Sequence, residues 1–115
     1  MRIPELSHLQ FLVLAQLMAA DRTGRQIRAG LKPYRVRQSG PAFYQMMARL
    51  EKAGLVSGWY TQEVIEAQII KERNYRVTAE GRRAWRESLR FYERAMEAAA
   101  ASSEQQDGEE GLAHA

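Results

Sequence analysis

Six cations fall between positions 22 and 37 of this 115-residue chain with no acid among them: Arg22, Arg25, Arg28, Lys32, Arg35 and Arg37. Such a cluster attracts a polyanion and displaces its counterions, so binding through it weakens as salt rises. A solvated basic surface is the alternative reading of the same charges. Other chemistry has little material. There is no cysteine, which excludes thiolate nucleophiles, disulfides and thiolate metal sites, and the two histidines, His8 and His114, lie near opposite ends of the chain. Glu63, Glu66 and Glu72 have no paired base or nucleophile and read as solubilising charges. No enzyme activity, cofactor or metal is expected.

The charge is unevenly spread. The chain carries a net +3, but Glu104, Asp107, Glu109 and Glu110 all lie in the last twelve residues. Residues 1–103 therefore hold seventeen bases against ten acids, a net +7. With 45% hydrophobic and 27% charged residues the composition is that of one soluble globular domain. No apolar run approaches the roughly 18 residues of a membrane span. The longest, Phe11 to Ala20, is interrupted by Gln16, so a cytoplasmic protein without membrane contact is expected.

The elements that position the cations can be read from capping signals and periodicity. Ser7 with Gln10 forms a capping box for a first helix from His8 to about Ala20, with Leu6 as a staple against Phe11. That helix is apolar nearly all round, which implies burial on several sides. Thr23 with Gln26 repeats the signal for a short helix, Gly24 to Leu31, with Ile27 and Leu31 facing inward and Pro33 ending it. A polar, basic linker, Pro33 to Gln38, follows. The next helix lies within Arg37 to Leu55: Ser39 or Gly40 caps it, Pro41 suits its first turn, and Gly54 fits its left-handed stop. Phe43, Met46, Met47 and Leu50 form its inner face, leaving Ala42, Gln45, Arg49 and Lys52 elsewhere on the surface.

After Gly54 the pattern becomes β-type. Leu55 to Ile65 and Gln68 to Thr78 read as a two-stranded hairpin turning at Glu66 and Ala67, with Lys71, Arg73, Tyr75 and Val77 on one face. Trp59 and Tyr60 read as sheet-to-helix packing residues. Thr78 caps a last helix that runs to about Ala101 with an apolar seam of Trp85, Leu89, Tyr92, Met96 and Ala99. A seam this long exceeds what the domain can cover, which predicts a second copy against it; folding back on the first helix is the alternative. Residues 102–115 are polar and acidic, and order is not expected there.

The fold class predicted is mainly α with a two-stranded β-hairpin: a winged helix-turn-helix domain over 1–78, a dimerisation helix over 79–101 and an acidic tail over 102–115. In that layout the third helix is the one presented to the DNA major groove. Three stretches, LSHLQFLVLAQL, SGPAFYQMMARLEKAGLV and YRVTAEGRRAW, resemble in order and spacing the signature segments of the PadR family of bacterial transcriptional regulators. The resemblance covers Leu6 to Trp85, and the single helix after the wing is similar to the short-tailed branch. It implies a homodimer built from first and last helices and recognition helices that read successive half-sites. It also implies repression in most members and, in some, release by a small-molecule effector. The hairpin tip departs from the family pattern: Val64 to Ile70 stands where many members carry Gly-Arg.

Double-stranded DNA is thus the expected partner. Arg35 and Arg37 are expected as phosphate clamps beside Gln38 and the Ser39 helix start, where unpaired amides favour an anion. The resemblance gives Tyr44 a phosphate or sugar contact. Gln45 and Arg49, four apart on one face, can reach base edges or phosphate. Lys71 and Arg73 are the expected wing contacts. Leu9, Leu12, Trp85, Leu89, Tyr92 and Met96 are the expected dimer interface, with ligand stacking on Trp85 and Tyr92 as an alternative to plain packing there. A winged-helix module that binds a protein partner without DNA is the competing function.

Overall fold

The computed structural model describes residues 2–113, with side chains through Glu104. The elements follow in the order α1 (His8–Ala19), β1 (Arg22–Thr23), α2 (Gly24–Leu31), a 3-10 turn (Lys32–Tyr34), α3 (Gly40–Lys52), β2 (Val56–Ile65), β3 (Gln68–Val77) and α4 (Ala79–Ala113). Both capping boxes form. The Ser7 hydroxyl accepts from the Gln10 amide while the Gln10 side chain accepts from the Ser7 amide, and Thr23 and Gln26 repeat the exchange. Each box satisfies two amides that a helix start otherwise leaves unpaired.

The core is one cluster in which Val13, Leu14 and Leu17 of α1, Ile27 and Leu31 of α2, and Phe43, Met47 and Leu50 of α3 meet Val56, Tyr75 and Val77 of the sheet. Burial of each large side chain contributes about 1.5–3 kcal/mol, so the three helices are held mainly by this cluster. The 3.6-residue spacing on α3 put its four inner residues in the core as expected.

Two expectations need correction. The hairpin is part of a three-stranded antiparallel sheet of order β1-β3-β2, because Arg22 and Thr23 pair with Tyr75 and Asn74. A two-residue strand leaves no periodicity to read, so only the pairing reveals it. The last helix also does not stop near Ala101: its backbone is helical through Ala113. Residues 98–107 contain only Ala, Ser, Glu, Gln and Asp, with no proline, and such residues extend a helix at small cost without tertiary contact. From Glu93 through Glu104 every side chain is exposed. His114 lies outside the described residues.

The hairpin turns at the two expected residues. Ile65 pairs with Gln68, and Glu66 and Ala67 both take left-handed backbone angles, φ 50° and 63°. That is the geometry of a two-residue primed turn, whose twist matches the strands although neither residue is glycine or asparagine. No described helix is long and apolar enough to cross a membrane.

Candidate nucleic-acid interface

Before α3 the backbone alternates. Arg35 sits in the left-handed region at φ 56°, at the end of the 3-10 turn, and from there Arg35, Arg37 and Ser39 are exposed while Val36 and Gln38 are half-buried. Arg35, Arg37 and Lys32 make no salt bridge among the described residues. Gln38 behaves differently from expectation: its side-chain oxygen is buried without a partner, because the alternation turns it inward with Val36. Ser39 caps α3, its hydroxyl accepting from the Ala42 amide at 3.2 Å. Arg28, one of the six clustered cations, reaches across from α2. Its guanidinium donates to the Gln38 carbonyl at 3.3 Å and lies 5.9 Å from the Phe43 ring centre. A cleft of about 550 Å³ opens there, with Arg25, Arg28, Lys32 and Tyr44 among its walls.

The outer face of α3 presents Gln45 and Arg49, both exposed. Tyr44 is 42% exposed, edge-on to Phe43 at 5.0 Å. Its ring lies so close over the first residue of α2 that a β-carbon at Gly24 would stand 2.8 Å from the phenol oxygen. The aromatic is therefore seated, with a partly open surface beside the cationic cleft.

Near the other end of α3 one cation of the wing, Arg73, is engaged, while Lys52 of α3 stays exposed. Arg73 was expected as a wing contact, yet one of its terminal nitrogens donates to both Glu51 carboxylate oxygens, at 2.8 and 2.9 Å. Only 23% and 27% of the two side chains is exposed. The hydrogen bond to Glu51 raises the Arg73 pKa further above its ordinary value. Arg73 is thus withdrawn from the open surface. Gly58 allows the pair to form, since a β-carbon there would overlap the Glu51 carboxylate. Tyr60, opposite Arg73 across the hairpin, is 58% exposed and does not pack sheet to helix as expected. Its ring instead carries two cations, Lys71 at 4.2 Å and Arg73 at 4.6 Å from the centre. Lys71 itself remains exposed.

Two further ion pairs hold the wing base. Arg25 of α2 bonds Glu72, and Arg76 grips the Asp21 carboxylate at 2.7–3.1 Å while lying 5.3 Å from the Trp59 ring centre. The hydrogen bonds from Arg76 hold Asp21 below the usual carboxylate range. Beyond this base, Val64 and Ile69 at the tip are 74% and 71% exposed.

A second surface lies between α1 and α4. Phe11 stacks on Trp85 with centres 5.6 Å apart and meets Tyr92 edge-on at 5.2 Å. The Tyr92 hydroxyl and His8 Nδ1 are 2.8 Å apart. The expected interface residues therefore divide. Leu9 and Leu12 pack against the core, Trp85 is engaged by Phe11, and Leu89 is half-buried. Met96 is 64% exposed. Ligand stacking on Trp85 loses support, because Phe11 covers a face of its ring. What remains open is an apolar groove of about 540 Å³ lined by His8, Phe11, Leu12, Tyr92, Met96 and Ala99. His8 and Phe11 were not among the expected interface residues, Phe11 having been read only as a staple partner of Leu6; the all-round apolar character of α1 was the available signal.

No protein-family model matches the sequence, and no curated protein does. The fold, however, is shared with solved structures. A transcriptional regulator from Clostridium thermocellum is 21% identical with a TM-score of 0.66, the match covering 82% of this chain and 88% of that one. A PadR family transcription regulator from Clostridium difficile is 19% identical at TM-score 0.63, over 79% and 96% of the two chains. A PadR family regulator from Eggerthella lenta is 25% identical at TM-score 0.63, over 84% and 81%. With its three core helices, its paired wing and the long helix that follows, the chain has a PadR-like winged-helix fold.

Proposed function

We propose that this protein is a DNA-binding transcriptional regulator that acts as a homodimer, with α3 of each copy in a major groove. The observation that carries the reading is the exposed set of Lys32, Arg35 and Arg37, without ion pairs among the described residues, on the approach to a capped helix whose outer face is open. Phosphates would meet Arg35, Arg37 and the helix start, and Gln45 and Arg49 would face base edges. The likeness to PadR-family structures supports the same assignment. The apolar α1–α4 groove and the projecting second half of α4 support pairing of two copies, since an exposed apolar stripe is stabilised by burial. Repression, with release by a small apolar molecule at that groove, extends the reading.

Selection of bound duplexes from a random-sequence pool by the purified protein tests it. Enrichment of a palindrome with half-sites about one helical turn, ~34–36 Å, apart is the expected result. Failure to enrich any sequence, or equal retention of unrelated DNA at moderate salt, would overturn it. The exposed aliphatic wing tip favours one competitor, a protein-interaction module; binding only to a protein partner in the same experiments would establish that instead.

A further inference from the structure

Four side chains form a continuous chain from the C-terminal part of α3 to the outer wing. Glu51 on α3 accepts from Arg73, Arg73 lies under the Tyr60 ring at 4.6 Å, and the Lys71 ammonium lies 4.2 Å from the same ring centre. Tyr60 and Arg73 are direct cross-strand partners, so the ring cannot shift along the hairpin without breaking the register. The Glu51–Arg73 pair is about three-quarters buried, and the absent side chain at Gly58 leaves the carboxylate room to reach it.

A lysine is ordinarily a poor fixed contact, since its four-carbon stem samples many rotamers and loses that freedom on binding. Here the ammonium is attracted to the negative face of an aromatic ring, and the ring is in turn held by a buried ion pair on the recognition helix. We infer that Glu51 is a positioning residue: through Arg73 and Tyr60 it holds the Lys71 ammonium at a set distance from α3, so that the wing offers one pre-placed phosphate contact. The inference rests on the DNA-binding reading above, and Arg73, although a cation on the wing, contributes no phosphate contact of its own.

The test is the salt dependence of binding to a duplex recovered by selection. Each phosphate contact contributes about 0.9 to the slope of log affinity against log salt. Lys71→Ala removes one contact from each of the two copies and should make the slope of the homodimer shallower by about 1.8. Glu51→Gln should give most of the same loss with Lys71 intact, and adding Lys71→Ala to it should change little more. Tyr60→Leu removes an exposed ring and leaves the ion pair, so it provides the same comparison in a variant whose fold is not in question. A merely structural role for Glu51 predicts a lowered Tm with an unchanged slope, and that outcome overturns the inference, as does a Lys71→Ala slope equal to wild type. Wild-type protein that binds no duplex overturns the DNA-binding reading itself, whereas wild-type binding with independent Glu51 and Lys71 effects overturns only the positioning role.

Discussion

The two ends of α3 carry the same kinds of side chain and use them in opposite ways. At its start Arg35 and Arg37 stand on an extended approach, exposed and without acidic partners among the described residues. At its finish Arg73 is committed to Glu51, and the chain is locked by local bonds. The Gly54 amide donates to the Glu51 carbonyl and the Leu55 amide to Leu50, with Gly54 at φ 77°. These are the paired bonds of a Schellman stop. The Thr78 hydroxyl then donates to the Gly54 carbonyl at 2.6 Å, and the Thr78 amide to Leu55. At one end the nearby arginines are held out to solvent; at the other the arginine of the wing is spent on architecture, although Arg49 and Lys52 of α3 stay exposed. A cation's role follows from whether the fold supplies it with an anion.

The locked end is the one whose disruption should cost most. Gly81, in the first turn of α4, packs so closely on the Leu55 carbonyl that a β-carbon would overlap it. Because the obstacle is backbone, Gly81→Ala is expected to destabilise the fold by about 3 kcal/mol, at the upper part of the overpacking range. Urea unfolding measures it, and a change under about 1 kcal/mol would show that this end is looser than described.

Next in size is an alkaline effect at the same end. Tyr75 lies 2% exposed beside Arg73, and burial pushes its phenol up from 10.0 to about 12. A group whose folded pKa is raised stabilises fully below its unfolded pKa and loses that stabilisation as pH rises through the folded one. Stability should therefore fall between about pH 10 and 12, by roughly 2–3 kcal/mol. Tyr75→Phe should remove that part of the decline in thermal melts across the range, and an identical alkaline decline in the variant would assign it elsewhere.

The open end predicts the opposite signature. Arg37→Ala should leave the Tm unchanged, weaken binding to every duplex by about 1.5 kcal/mol per copy, the scale of a charged hydrogen bond, and flatten the salt slope by about 0.9 per copy, about 1.8 for the homodimer. Gel retardation over a salt series reads both. Unchanged affinity for all duplexes would remove Arg37 from the interface and with it the contrast between the two ends.

Much of the frame was legible in local signals. The boxes at Ser7 and Thr23, the Ser39 cap and the Gly54 stop lie within a few residues of the amides and carbonyls they serve, and all appear where expected. The 3.6-residue spacing on α3 likewise gave the correct inner face, and along the single face that the two-residue spacing on β3 gives to Lys71, Arg73, Tyr75 and Val77 the proximal Tyr75 and Val77 are buried while the distal Lys71 is exposed. Of the candidate site, the exposure of Gln45 and Arg49 followed from the helical spacing, and that of Arg35 and Arg37 from the polar, basic character of the linker.

The misplaced Arg73 and the ion pairs that the sequence did not foreshadow share a cause. Arg73 and Glu51 are 22 positions apart, Arg25 and Glu72 are 47 apart, and Arg76 and Asp21 are 55 apart. No periodicity links such positions, so a cation destined for an ion pair reads the same as one destined for solvent. Gln38 failed for a nearer reason: the direction of a side chain in an extended linker depends on where the preceding turn leaves the chain, and Arg35 in its left-handed conformation set that. The strand β1 is invisible for want of length.

What the sequence determined by itself is therefore the four helices and the hairpin, their starts, the stop of α3 at Gly54, the inner face of α3 and the basic balance of the folded part, because each of these depends on neighbours within a turn or two; the strand β1 and the end of α4 were not among them. The tertiary structure decided which charges are spent and which are offered. It paired Arg73 with Glu51, laid Lys71 on Tyr60, drew Arg28 across the start of α3 and closed Trp85 against Phe11. Those outcomes depend on how separate elements pack, and electrostatic and aromatic contacts at 3–6 Å form only after packing has brought the partners together.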